Sequence, residues 1–547
     1  MAAKRARAFF AAGATFASFG AASYGAAFFG AAVLAAQKAV AQETQISAPL
    51  SAIDWLSDSV TPAPNGSTAN TPPSASEAPV TGGIAPAQPI ATTVLGGPSL
   101  DAVGLLPPAK TGFPAALWGN TRAHDVASAI TAIQVDGIPA LQELAVKLLL
   151  AEAAPPAMDD PAQKGTVLLA RIDKLLAMGA LDQAFALIEA AGPALDANLF
   201  RRAFDVSLLM GEEDRACTAM RATRGLKIAP QTRAFCAARA GDWAGAALIL
   251  STESALGGIP ELEAELLGRF LDPEAFDDPN LPPPPKPVTP LIWRIYDALG
   301  ETLPTGMLPI AFAHGELGPR AGWKSQAEAA ERLARAGVLS PNQLLGIYTA
   351  QKPAASGGVW DRIRAFQKFD TAISAADVGA VATTLPPAYA AMKAVELEVP
   401  FAAIYAEALA KMPLTGTAGD MAFELGLLSP LYEVIAQADG KADGQAPARM
   451  FLAGLAQGDI TARAPFGNMG RAVAAGFGQP PLPPDLAGLV QTGNVGMATL
   501  AAIARIHTGV LGEDRAISEG IALLRALGLE AAARRTALEL MILERRG

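Results

Sequence analysis

The chain has 547 residues, of which 51 % are hydrophobic, 17 % charged and 6 % aromatic, with a formal net charge of −10. That length accommodates two or more domains. The acidic balance counts against nucleic-acid binding, because it repels phosphate backbones. The dominance of alanine, with few alternating Val/Ile/Thr runs, counts against a sheet-based fold and favours an all-α one.

The amino terminus has the layout of an export signal. Lys4, Arg5 and Arg7 precede an uncharged stretch from Ala8 to Gln37, and Ala39-Val40-Ala41 follows Lys38. A basic start, an apolar middle and small residues two apart make a signal peptide over 1–41, cleaved after Ala41. Cleavage there leaves a mature chain at −14. The rival reading is a retained anchor. About 20 apolar residues span a bilayer, and Gly13, Gly20, Gly25 and Gly30 offer a small-residue packing face. Either way the rest of the chain is expected outside the cytoplasm, in the periplasm. The later uncharged run Leu486 to Ala504 is interrupted by Gln491, Thr492 and Asn494, so no second membrane span is expected.

Residues 42–119 read as a Pro/Ser/Thr-rich arm, with 12 prolines between 43 and 114. Such a composition buries too little apolar surface to offset chain entropy, and 61–88 is expected to be disordered. Two apolar islands interrupt the arm. One is Leu50-Ser51-Ala52-Ile53-Asp54-Trp55-Leu56; the other is Val94-Leu95 with Val103-Gly104-Leu105-Leu106. Islands of this kind dock on a partner or collapse onto the protein's own surface.

From 120 to 275 the pattern is helical and repetitive. Gly179, Gly211 and Gly241 each close an apolar helical stretch, and each has an alanine five positions later: Ala184, Ala216 and Ala246. Gly528 and Ala533 repeat the unit near the carboxyl end. The glycine suits a left-handed helix cap. Asp182, Glu212, Glu213 and Asp242 suit the positive end of the next helix dipole, and the alanine permits close helix approach. Helix pairs at this period make an α-solenoid. The unit resembles tetratricopeptide-like repeats over about 164–272, although most of that family's Trp, Tyr and Pro positions are missing; Trp243 falls two residues after a repeat glycine. The resemblance implies a protein-binding scaffold with its concave face around 164–272. The only two cysteines, Cys217 and Cys236, fall in successive helices at nearly equal distances from the intervening turn. A disulfide between them and two reduced core thiols are both open readings.

Residues 276–290 include four consecutive prolines, Pro282 to Pro285, and read as a linker to a second helical domain over 291–547. Helices are expected at 289–300, 323–337, 341–350, 359–377, 399–412, 446–457, 494–508, 513–527 and 529–545. Pro386-Pro387 and Pro480-Pro481 with Pro483-Pro484 are expected to break helices.

Catalytic signals are sparse. His124, His314 and His507 are too far apart for a helical metal pair, and no motif implies a cofactor or metal. The densest unusual region is 304–365, with His314 and Glu316 followed by Ser356-Gly357-Gly358-Val359-Trp360-Asp361-Arg362. These two residues are the only acid and base assigned to an alternative reading as an envelope enzyme of glycan or peptide chemistry. Lytic transglycosylases, which act on peptidoglycan, carry a Glu-Ser pair; here Glu253-Ser254 lacks the companion motifs. Signal, arm and proline break together resemble a set of exported, alanine-rich helical proteins of alphaproteobacteria, a resemblance that brings no activity and no site residues. The leading expectation is a periplasmic scaffold or adaptor binding an envelope protein.

Overall fold

A computed structural model describes residues 99–543, apart from 135, 158–163, 193–195, 224, 279, 440–445 and 462. All of these belong to one compact unit. Ala41, the expected signal, the Leu50–Leu56 island and the 61–88 stretch lie outside them. Among the described residues the architecture is all-helical. No strand forms, and the β-pairing consists of the isolated bridges Leu106–Ala151 and Arg122–Ala157. No helix among them is long and apolar enough to cross a membrane.

Among the described residues, packing is established well before 120, with Asp101 and Phe113 already buried. Helices α1 (Ala123–Ala132) and α2 (Pro139–Leu149) precede α3 (Thr166–Ala177). The amides at the start of a helix have no partner within it. Those of α3 are satisfied from a distance: buried Asp101 accepts from Gly165 N at 2.9 Å and Leu168 N at 2.8 Å. Arg171 of α3, also buried, donates to the carbonyls of Leu149, Val103 and Ala151 at 2.5, 2.6 and 3.0 Å. The Val103–Leu106 island docks on its own domain, where the amides of Leu105 and Leu106 bond the Leu150 carbonyl. Phe113, Leu117 and Trp118 are core residues. The expected arm boundary at 119 is therefore too late.

The repeat region forms α4 (Leu181–Ala190), α5 (Ala197–Met210), α6 (Glu213–Ala222), α7 (Pro230–Arg239), α8 (Trp243–Ala255) and α9 (Glu261–Leu271). The proline stretch then leads to α10 (Pro290–Ala298), and it does not divide the described residues into two bodies. Arg269 of α9 holds the Asp278 carbonyl at 2.6 Å, the Tyr296 hydroxyl donates to the Pro282 carbonyl, and α10 packs back on α5. The expected domain boundary at 276–290 is thus a docked connection.

Further along lie α11 (Trp323–Arg335), α12 (Pro341–Thr349), α13 (Val359–Ser374), α14 (Val378–Lys393), α15 (Glu398–Ala410), α16 (Gly416–Leu427), α17 (Tyr432–Asp439) and α18 (Pro447–Gln457). The last are α19 (Gly467–Phe477), α20 (Pro484–Gln491), α21 (Val495–Val510), α22 (Asp514–Ala526) and α23 (Glu530–Ile542). All nine expected helices are present within a few residues. Pro386-Pro387, expected to break a helix, instead lies inside α14. Proline costs an interior helix its amide bond; here five residues packed to the core, Val381, Leu385, Ala388, Tyr389 and Met392, hold both halves of the helix in line. Pro480, Pro481 and Pro483 do fall between helices, and Pro484 opens α20.

The glycine units close as their pattern implies. Gly179, Gly211, Gly241 and Gly528 have φ of 79°, 80°, 83° and 74°. In each, the next amide returns to a carbonyl five residues back, as from Ala180 to Leu175 at 2.8 Å and Leu529 to Leu524 at 2.9 Å. That is the Schellman closure. The alanines that follow are buried. Ala376 and Glu396 make the same turn without glycine, at φ 52° and 61°.

One continuous core runs from Phe113 through α1–α4 and resumes from Ala313 to Leu543. A smaller core fills α5–α10 around Phe200, Phe204, Phe235, Phe270 and Tyr296. The last described helices pack on the first: Glu539 of α23 accepts from Ala140 N at 2.7 Å, Arg535 pairs with Glu143 at 2.6 Å, and Gly496 N donates to the Leu117 carbonyl.

Candidate functional site

His314 and Glu316 lie together on a short 3₁₀ helix, Ile310–Glu316, that packs on α11 and α5. His314 Nε2 sits 2.7 Å from the Gly179 carbonyl. A carbonyl only accepts, so Nε2 carries the proton. Burial pulls the imidazole below its ordinary pKa, against the pull of the Gly179 bond and the Asp182 charge. Glu316 accepts from Thr305 N at 3.1 Å. Arg332 donates to the carbonyls of Thr305 and Leu308 at 2.8 and 3.0 Å. These groups fasten the 305–316 loop to α11 and to the α3–α4 turn, and His314 and Glu316 are spent on backbone partners.

Other side chains singled out in the 304–365 region are engaged within the protein. Gly357 and Gly358 adopt positive φ and open α13. Trp360 is half-buried, with its ring 4.9 Å from Trp323. Glu331 is buried and receives Arg362 at 2.6 Å and the Tyr348 hydroxyl at 2.6 Å. Glu253 of the Glu253-Ser254 pair lies on α8, 3.4 Å from Arg233. Among the described residues, no group of three His, Cys, Asp or Glu side chains is placed to hold one metal ion.

Cys217 of α6 and Cys236 of α7 are joined in a disulfide with Cα atoms 5.2 Å apart, both sulfurs inside the smaller core. The α6 helix has further ties. Its Glu213 carboxylate is buried and meets Arg294 of α10 at 2.9 Å, and Asp214 meets Arg239 of α7 at 2.7 Å.

Beside this fastening is an apolar groove of about 390 Å³ between α4, α5 and α6. Phe185 and Ile188 line one wall, Phe200 and Ala203 the floor, and Ala216 and Ala219 the other wall. Small residues on α5 and α6 leave the space, and the aromatic rings make it apolar. Repeat alanine Ala216, expected to close a helix seam, also lines this groove. Arg215 bridges the rim: its guanidinium lies 4.5 Å from the Phe185 ring and pairs with Glu189 and Glu212. Thr223 lies at the far end.

No protein-family model, curated protein or solved structure matches the chain. The groove is accordingly read from its own geometry. It lies within the 164–272 stretch expected to present a binding face. Phe185, Ile188, Phe200, Ala203 and Ala219 carry no motif; the available signal is the three-residue spacing of Phe185 with Ile188, Phe200 with Ala203 and Ala216 with Ala219, which puts each pair on one helix face.

Proposed function

We propose that this protein is an exported scaffold or adaptor, an α-solenoid of tetratricopeptide-like helix pairs, that docks an envelope protein in the α4–α6 groove. The groove carries this reading. It is apolar, it is open between three helices, and its polar rim can orient an incoming chain. A disulfide within the adjoining core fits an oxidising compartment, in keeping with the basic, apolar and small-residue order of the first 41 residues. The alternative of an envelope glycan or peptide hydrolase has less support, because His314 and Glu316 bind backbone groups.

Ala219→Trp fills the groove and is the discriminating variant. Immobilised wild-type protein is expected to retain an envelope species that the variant does not. Identical retention by both, or muropeptide release that Ala substitution of His314 and Glu316 abolishes, contradicts the proposal. Amino-terminal sequencing from the producing cell is expected to begin at Gln42; a chain beginning at Met1 in the membrane fraction establishes the anchor.

A further inference from the structure

The floor of the groove on α5, made by Phe200, Ala203 and Ser207, is buried. Its walls are α4 and α6. Among the described lining residues two are charged, Glu189 on the α4 wall and Arg215 on the α6 wall, and they pair with each other. Their side chains are 54 % and 53 % exposed. The pair therefore crosses from wall to wall on the solvent side, above the buried floor. The Arg215 guanidinium also lies over the Phe185 ring at 4.5 Å and meets Glu212, beside the start of α6, at 3.4 Å. The mouth of an apolar groove thus carries one cation, already shared between two acids and an aromatic face. An occupant that reaches Phe185 has to move Arg215 off the ring. That displacement is easy, because exposed ion pairs and exposed cation–π contacts each contribute little.

Resting on the reading of this groove as a docking site, we propose that Arg215 is a latch across it and that the ligand is an apolar segment of a partner protein without acidic residues. The latch is closed in this structure. It opens when an apolar side chain of the ligand takes the place of the guanidinium against Phe185, and Arg215 then keeps Glu212, its neighbour in sequence. Burial of the apolar side chain between Phe185, Ile188, Phe200 and Ala219 supplies the affinity. The rim supplies the selection. Two carboxylates face one guanidinium there, so an acidic ligand meets like charge with no free cation to offset it.

Three fluorescein-labelled decapeptides test this by anisotropy on the full chain. The first has a central Phe-Leu pair flanked by serine and glycine. The second has Ser-Ser in place of that pair, and the third has Phe-Leu flanked by glutamates. The first is expected to bind about tenfold more tightly than the second and about threefold more tightly than the third. Arg215→Ala, at unchanged helix content by circular dichroism, removes the latch and is expected to bind the first peptide roughly three- to tenfold more tightly than wild type. Glu189→Gln keeps the wall but loses the ion pair. It is expected to strengthen binding by a smaller factor and to narrow the gap between the first and third peptides. Unchanged or weaker binding of the first peptide by both variants overturns the latch while leaving the groove as a docking site. Equal or tighter binding of the glutamate peptide by wild type, or a gap that Glu189→Gln leaves intact, overturns the exclusion of acids. Binding that Ala219→Trp leaves unchanged, or no binding of any peptide at about 1 mM protein, overturns the docking site and the latch together.

Discussion

The helices α5–α10 and α11–α23 are held together by different means. In the second region the core is continuous. Phe366, Phe369, Phe401 and Tyr405 pack edge-to-face or tilted with ring centroids 5.0 to 5.9 Å apart, and α22 buries eight of its thirteen residues. In the first region α6 buries three of ten, namely Glu213, Ala216 and Cys217. One is a carboxylate and one is bridged to α7. Apolar burial scales with area removed from water, so Ala216 and the half-buried Met220 hold this helix only weakly. Arg294, Arg239 and Cys236 supply what its side chains do not. The thin packing that makes these ties necessary also leaves the groove open: a larger side chain at Ala216 or Ala219 would pack α6 better and fill the site.

The largest expected effect follows from breaking the ion pair. Arg294→Met leaves the buried Glu213 carboxylate with only the more distant Arg239 guanidinium, 3.7 Å away, and strips a donor from the Leu208 carbonyl. Loss of one partner of a buried pair costs about 3–5 kcal/mol. Chemical denaturation is expected to show that loss, and a change below about 1 kcal/mol, typical of surface pairs, would remove the ionic tie from the comparison.

A second expectation concerns pH. Burial pushes the Asp205 carboxyl of α5 up to about 6 from an ordinary 3.8, against the opposing pull of Arg201 and Arg202. The folded protein thus holds a proton that the unfolded chain releases. This group opposes folding above pH 6, and the opposition fades as pH falls from 6 towards 4. Asp205→Asn is expected to raise stability at pH 7 by roughly 2 kcal/mol, from the worth of a pKa unit, and to do little at pH 4. Equal effects at both pH values would contradict the cause given. In the continuous-core region the expected gain is smaller. Ala376→Gly relieves a left-handed turn in an alanine and is expected to add about 0.5–1 kcal/mol, since that conformation costs a residue with a Cβ roughly 1–2 kcal/mol and glycine returns part of this as chain entropy. A lower melting temperature would show that the turn is not strained.

Local pattern carried most of the fold. Glycine followed by alanine five residues later marks true helix junctions at Gly179, Gly211, Gly241 and Gly528, because both residues answer a local steric need. Junctions at Ala376 and Glu396 escape that rule: their backbone takes the same turn, but tertiary packing rather than glycine pays the steric cost. The same limit hides α14, where core contacts override Pro386-Pro387. The packing of Asp101 and Phe113 is concealed by composition, since proline counts over 43–114 average both into the arm. Asp101 acts on an amide 64 residues away, and Glu539 on one 399 residues away; no window of local sequence contains such a pair. His314 and Glu316 stood out as rare acid–base neighbours, and their rarity reflects loop fastening. The groove has no sequence signature because its chemistry is apolar surface, which is common in the described helices.

The most direct measurement is hydrogen exchange on the Cys217→Ala/Cys236→Ala protein against wild type. Because the bridge anchors a helix with little apolar burial, the amides of α6 and of the Thr223 end of the groove are expected to lose most of their protection. Those of α13–α16 and α21–α23 are expected to keep theirs. Unchanged protection in α6 would contradict the claim that the bridge and ion pairs hold the groove wall, and an even loss across the whole chain would show that the two regions do not differ.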